Sequence, residues 1–286
     1  MSKDIVFFAN ILTSTIHFTL TLELRFMYVK AKKYLGQHFL KDKNIAHQIV
    51  ESLNLHDIEN VLEIGPGMGV LTEFLLQNKT YKTTVIEIDG ESIVYLKDRF
   101  FADNLPIIQD DFLQFDIKKY FDKPVCVIGN FPYNISSQIL FKVLDNRDWV
   151  PQVVGMFQKE VAERIAAKPG SKTYGILSVL LQAYYQIEYL FTVNENVFAP
   201  PPKVKSAVIR VTRNEVNKID CDEKLFIKLV KTAFNQRRKT IRNSIKTVFT
   251  NPAVDHPFLQ LRPEQLSVEQ FVELTNWVEK NMLTNG

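Results

Sequence analysis

The chain has 286 residues, 46% hydrophobic and 23% charged, which suits a soluble globular protein of one large domain plus a smaller one, with enough apolar material for a real core. A net charge of +3 names no anionic partner by itself, so any basic surface must come from local distribution. Two distant cysteines without a CxxC, Cys126 and Cys221, argue against a disulfide scaffold and for a reducing, cytoplasmic compartment, and five scattered histidines give no structural zinc spacing.

In chain order, the first segment is the odd one. Ile5 to Leu22 carries no charge, but Asn10, several threonines and His17 dilute its apolarity, and no small-residue cleavage site follows. Residues 1–26 are therefore expected to be an extension outside the working fold, with Met27 opening "MYVKAKKYLGQHFL" as a fresh start, a targeting peptide or a partner-binding tail being the alternatives. From residue 45 apolar strands alternate with helix-period segments. Strands are predicted at 60–67, 83–89, 105–111, 125–130, 152–158, 187–193 and 204–211, with helices at 70–77, 91–100, 136–144, 160–167 and 175–185. Such alternation predicts a largely parallel sheet covered on both faces over residues 27–213. Residues 214–286 lack strand patterns and read as a small helical second domain.

The strand ends carry the chemistry. Between the first strand and its helix, "EIGPGMGVL" supplies Gly65, Gly67 and Gly69, where a ligand can approach the backbone at a helix N-terminus. Any tight turn can use glycine, and Val70 stands where a dinucleotide fingerprint needs its third glycine. The second strand ends at Glu87, which can hold ribose hydroxyls, and the third at Asp110 and Asp111, which can accept from an adenine amino group. Each acid alone is read more simply as solvated. Three such features at one carboxyl edge point to a nucleoside ligand, and without a phosphate-gripping GxxxxGK[ST], S-adenosylmethionine fits.

The fourth strand ends in "GNFPY". An amine on an aromatic base is a poor nucleophile, so acceptors that hold its N–H groups and aim its nitrogen do much of the work. The side-chain oxygen of Asn130 and the carbonyl of Phe131, stiffened by Pro132, would supply them, and Tyr133 offers a face for an extruded base. The bland alternative is an Asn-Pro-type turn with core aromatics.

"NFPY" resembles the N-x-P-Y motif of adenine-N6 methyltransferases. With "YLGQHFL", "EIGPGMGVLTE", "IEID", "FQKEVAERI", "YGILSVL", "FAPPPKVKSAVIR" and "AFNQRRKTIRNSI", the chain from about Lys32 onward is similar to the small-subunit ribosomal RNA adenine dimethyltransferase family. The resemblance implies a class I S-adenosylmethionine-dependent methyltransferase fold, Rossmann-like with a seven-stranded, mostly parallel sheet, and an all-helical C-terminal domain. It implies dimethylation of two adjacent adenosines near the 3′ end of small-subunit rRNA, within a 30S assembly intermediate, by a cytoplasmic monomer that uses no metal and no membrane. It also implies site roles: His38, Leu40, Gly65, Glu87, Asp111 and Asn130 at the cofactor, Asn130 and Tyr133 in catalysis, and Phe198 closing the other side of the base. His38 stands where the motif often has Asn, which favours a main-chain contact over a side-chain one.

Two basic regions follow. Lys30, Lys32 and Lys33 precede the "GQHFL" motif; in the C-terminal region Lys224, Lys228, Lys231, Asn235, Arg238, Arg242 and Lys246 recur near helical spacing. They form a one-signed stripe suited to phosphates if the helical phase holds, or else a solvated face. Arg237 falls nearer the apolar side and is expected to brace the two domains. Rivals are a large-subunit rRNA methyltransferase, which fits "FAPPPKV" and "QRRKT" less well, and an RNA-binding assembly factor that keeps the fold without the chemistry.

Overall fold

In the computed structural model, residues 29–55, 58–250 and 253–283 are described. The expectation for residues 1–26 lies outside them. Strands are β1 (Phe39–Leu40), β2 (Asn60–Ile64), β3 (Lys82–Glu87), β4 (Ile107–Gln109), β5 (Val125–Asn130), β6 (Gln152–Gln158), β7 (Tyr185–Val193), β8 (Phe198–Ala199) and β9 (Ser206–Arg213). Seven of them form one sheet in the order β4-β3-β2-β5-β6-β9-β7. The pairs from β4 to β6 are parallel, and β9 runs antiparallel to both of its neighbours. β1 and β8 make a separate antiparallel ribbon.

Side-chain alternation explains why the central strands are apolar throughout. Along β5, Val125 and Val127 join one hydrophobic cluster, while Cys126 and Ile128 join the other. Both faces are covered, so the period-two pattern of a half-exposed strand disappears. On one side lies α1 (Lys43–Glu51), capped by Asp42, whose carboxylate accepts from the amides of Asn44 and Ile45, and burying Ala46, Ile49 and Val50. On the other lies α5 (Ser136–Asp145), which buries Ile139, Leu140, Val143 and Leu144.

The expected helix at 70–77 contracts to α2 (Thr72–Leu75), because the three left-handed glycines occupy the chain up to residue 69. The next three helices are α3 (Gly90–Arg99), the short α4 (Ile117–Tyr120) and α6 (Lys159–Ala166), with α5 lying between the last two. α7 (Ile176–Gln182) ends early, since β7 begins at Tyr185.

The C-terminal region holds α8 (Glu223–Asn235), α9 (Ile241–Ser244) and α10 (Val268–Leu283). Asp222 caps α8 by accepting from the Leu225 amide at 2.6 Å, and the buried positions Phe226, Leu229, Val230 and Ala233 follow one helical stripe. α8 stops at Asn235, and Gln236 leaves helical backbone at φ −120°, ψ 38°. The expected basic stripe is therefore cut in two: Lys224, Lys228, Lys231 and Asn235 sit exposed on α8, whereas Arg242 on α9 pairs with Asp255. Arg237 meets both the Ser171 carbonyl at 3.4 Å and Glu264 at 3.9 Å, tying the loop after α6 to the C-terminal helices.

Candidate active site

The carboxyl ends of β2, β3, β4 and β5, with the segment Leu35–Phe39, surround a cavity of about 200 Å³. His38, Gly65, Glu87, Asp111, Asn130 and Tyr133 all line it, so six of the seven sequence-predicted cofactor and catalytic residues meet at one place. Leu40 does not. It is buried in the core, pairs with Phe198 in the β1–β8 ribbon, and touches only a recess of about 30 Å³ beside Gly65 and Asn130. Phe198 is likewise buried, beside Leu40 in the ribbon, and does not line the cavity, so the expected role against a base is not what its place here shows.

The glycine turn is built for close approach. Gly65, Gly67 and Gly69 all have positive φ, at 65°, 55° and 73°. A Cβ on Gly67 would strike the Phe39 ring at 2.7 Å, so the turn and the "GQHFL" segment are fitted to each other. A Cβ on Gly65 would find Pro132 only at 4.0 Å and would otherwise fill open space at the cavity, the kind of cradle a ligand occupies.

Glu87 ends β3 with its carboxylate held by main-chain amides: Gly67 at 3.2 Å on Oε2, and Ile88 and Asp89 at 2.9 Å each on Oε1. Burial still pushes its carboxyl above the usual range, against those hydrogen bonds. Asp89 stands just behind. Burial works to raise its carboxyl too, but Lys32 and Ser92 outweigh it and hold it below the ordinary value. Lys32 contacts Asp89 and lies 3.2 Å from Glu91, so the strap carrying Gly36 and His38 is pinned to the start of α3. The turn between is closed by Gln37 Oε1, which accepts from the Lys32 amide at 2.8 Å.

Asp111 Oδ1 accepts from the Leu113 amide at 2.9 Å, and Asp110 Oδ1 accepts from the Asp111 amide at 2.8 Å. These turns fix both carboxylates at the cavity's far end.

At the end of β5, Asn130 Nδ2 donates to the His38 carbonyl at 2.9 Å, which leaves Oδ1 as the amide's free acceptor. Phe131 is buried. Its ring packs edge-on to Phe157 at 5.1 Å and fits where the missing Cβ atoms of Gly129 and Gly155 would be. Its amide donates to the Met156 carbonyl at 3.2 Å, so the backbone entering Pro132 is anchored to β6. Tyr133 bonds Ser206 Oγ at 2.5 Å through its hydroxyl, and burial raises that phenol while Ser206 works the other way. The His38 ring stacks on the Tyr133 ring, centroids 5.4 Å apart, and His38 Nδ1 meets the Pro200 carbonyl at 2.8 Å.

Sequence reasoning missed Ser206, Lys32 as a strap anchor, and Glu63. A charged residue inside the apolar run "NVLEI" was the available signal for Glu63. It is 1% exposed, accepts from Thr72 Oγ1 at 2.6 Å, and burial pushes its carboxyl to about 8. Ser206 and Lys32 gave no local signal, because their partners lie far along the chain.

Comparison with known proteins decides the lineage. The sequence profile described as "Ribosomal RNA adenine dimethylase" matches residues 28–280. The chain belongs to the ribosomal RNA adenine dimethylase family. It is 59% identical over 254 residues to "Ribosomal RNA small subunit methyltransferase A" of Phocaeicola vulgatus, covering 88% of this chain and 90% of that protein. It is 60% identical over 250 residues to the protein of the same name from Cytophaga hutchinsonii, covering 87% and 97%. Among solved structures, a dimethyladenosine transferase from Plasmodium falciparum superposes with a TM-score of 0.72 at 27% identity, covering 85% of this chain and 98% of that one. This dimethylase is thus an S-adenosylmethionine-dependent rRNA adenine methyltransferase with a class I fold.

Proposed function

We propose that this dimethylase methylates the N6 amines of two adjacent adenosines in the 3′-terminal hairpin of small-subunit rRNA. The observation that carries the reading is the state of Asn130. Its NH₂ group is spent on the His38 carbonyl, so the oxygen is left to accept, and Asn130, Phe131 and Tyr133 line the cavity together. A target N–H held by Asn130 Oδ1 and a second by the Phe131 carbonyl would present the nitrogen in one direction. The Tyr133 face would carry the extruded base, its ring held at the hydroxyl by Ser206.

S-adenosylmethionine, when bound, supplies a methyl group on a positively charged sulfur. The residues present fit it: Glu87 would take the ribose hydroxyls, Asp111 the adenine amino group, and the open side of Gly65 the amino-acid portion. His38 would contribute main chain. The protein supplies position and acceptors, and the proton leaves the amine as its new bond to carbon forms. No strong base is required.

The RNA enters this reading as an assembled substrate. The exposed lysines on α8 suit the phosphates of a 30S assembly intermediate, and the reading takes the enzyme as a cytoplasmic monomer. The test is incubation with labelled cofactor and undermethylated small subunits, then nucleoside analysis. N6,N6-dimethyladenosine at two neighbouring positions is expected. Label absent from the small subunits but present in a parallel incubation with large-subunit rRNA would favour the large-subunit rival, and binding without label to either would favour an assembly factor.

A further inference from the structure

The stacking of His38 on Tyr133 is not needed by either residue's other contacts. Tyr133 is held without it: its hydroxyl bonds Ser206 Oγ at 2.5 Å, its carbonyl accepts from Ser136 Oγ at 3.3 Å, and the Phe131 amide is tied to Met156 at 3.2 Å. His38 is held from the opposite direction, through Nδ1 to the exposed Pro200 carbonyl at 2.8 Å. A carbonyl only accepts, so Nδ1 carries the proton. The main chain of His38 has a separate task, because its carbonyl takes Nδ2 of Asn130 at 2.9 Å. The ring can therefore turn about its side-chain bonds while the carbonyl that orients Asn130 stays in place.

Both residues line the cavity, and their rings lie 5.4 Å apart with planes inclined by 29°. The imidazole thus covers aromatic surface at the wall where a target base would have to stack.

We propose that His38 is a place-holder for the target base, its imidazole covering the cavity side of Tyr133 until an extruded adenine takes that face and the ring turns out. The proposal rests on reading Tyr133 as the stacking platform. The exchange runs toward the base because two fused rings offer a larger face than one imidazole. Little is lost on the other side, since the Pro200 carbonyl is exposed and water replaces the departing Nδ1–H. The same competition selects the substrate: a single-ring pyrimidine gains less from displacing the imidazole than a purine does. Between turnovers the covered platform keeps water off the Tyr133 ring. His38 is then a specificity-determining residue, distinct from its main-chain role beside Asn130.

The test compares His38→Ala, His38→Trp and Tyr133→Ala. For each, KM and kcat are measured on undermethylated small subunits, their affinity is measured without cofactor, and cofactor affinity is measured by calorimetry. His38→Ala uncovers the platform and is expected to lower KM about threefold, with cofactor-free affinity rising in step. His38→Trp is harder to displace and is expected to raise KM about tenfold. A higher KM or a lower kcat in His38→Ala would show the ring to be a support and would overturn the proposal. So would a loss of cofactor affinity that accounts for the whole kinetic change. Should the Ala variant not fold, the Trp variant, which keeps a ring at the position, decides alone. Tyr133→Ala separates the two levels. If it transfers methyl groups as well as the parent, the platform reading itself fails; if it is inactive while His38→Ala is impaired, only the place-holder falls.

Discussion

The side-chain amide of Asn130 has a donor end and an acceptor end, and the fold spends only the donor, on the His38 carbonyl at 2.9 Å. Asn130→Ala removes the acceptor from the cavity while leaving the distant basic surfaces untouched. The expected outcome is a loss of methyl transfer of about a thousandfold or more with rRNA affinity within about twofold, read by single-turnover labelling beside a binding titration. Unchanged turnover would defeat the clamp. Glu63 makes a different demand at the same sheet edge. Its folded value of about 8 lies above the ordinary carboxylate value of 4.5, because burial penalises the charged form. Between those values the folded state binds more protons than the unfolded state, so this residue's contribution makes stability fall as pH rises through that window. Glu63→Gln keeps an acceptor for Thr72 without the ionisation. The variant is expected to gain stability relative to the parent as pH rises from about 5 to 8, by a few kcal/mol at most, in denaturant titrations across that range. A stability difference that does not change with pH would show that Glu63 is not proton-linked.

The element that matters most is the turn leaving β5, and its shape is set from behind by two glycines. Added methyl groups on Gly129 or Gly155 would run into the Phe131 ring, and at Gly129 also into the Ile64 carbonyl at 2.7 Å. Gly155→Ala is expected to cost about 1–3 kcal/mol by overpacking and to lower kcat more than cofactor affinity, since it shifts the Phe131 carbonyl while the glycine turn after β2 keeps its place. Melting curves with calorimetric cofactor titration would check this; a parental kcat would mean that the Phe131 carbonyl has no part in holding the amine. Elements of this kind mark the boundary of what was legible beforehand. Glu87, Asp111 and Asn130 could be read because each ends a strand whose apolar run is local in sequence, and the parallel topology brings those ends to one edge. Phe198 was placed against the base by resemblance, and nothing local in "FAPPP" signals its pairing with Leu40, far earlier in the chain, where it is buried. Leu40, named by the same resemblance, lines the small recess beside Gly65 and Asn130 and not the main cavity. The basic stripe was overextended because helical periodicity persists in the residues after Asn235, where the backbone itself leaves the helix.

At the scale of the whole molecule, the sheet and the C-terminal helices share one hydrophobic cluster: Val127 and Val153 from the sheet stand in it with Phe226 and Leu229 of α8 and Phe271 of α10. The polar link from Arg147 to Glu223 at 3.0 Å, with the guanidinium 4.2 Å above the Tyr184 ring, crosses the same junction. A shared core holds α8 at a fixed place relative to the cavity, so its exposed lysines can set where an RNA lies with respect to Asn130. Those cations are not equivalent. Lys224 and Lys228 are exposed on α8, whereas Arg242 already has Asp255 and would have to give up that partner to meet a phosphate. Each phosphate contact adds about 0.7–0.9 to the slope of log affinity against log salt, so replacing Lys224 and Lys228 together by Glu is expected to flatten the slope by about 1.5 and to weaken binding at every salt concentration. Arg242→Gln is expected to change the slope by less than about half a unit, because the charge removed was locally neutralised. Binding of undermethylated small subunits across a salt series measures both. If the α8 pair leaves slope and affinity where they were, those lysines are merely a solvated face and the RNA is held elsewhere; if Arg242→Gln matches them, the pairing with Asp255 yields to the RNA.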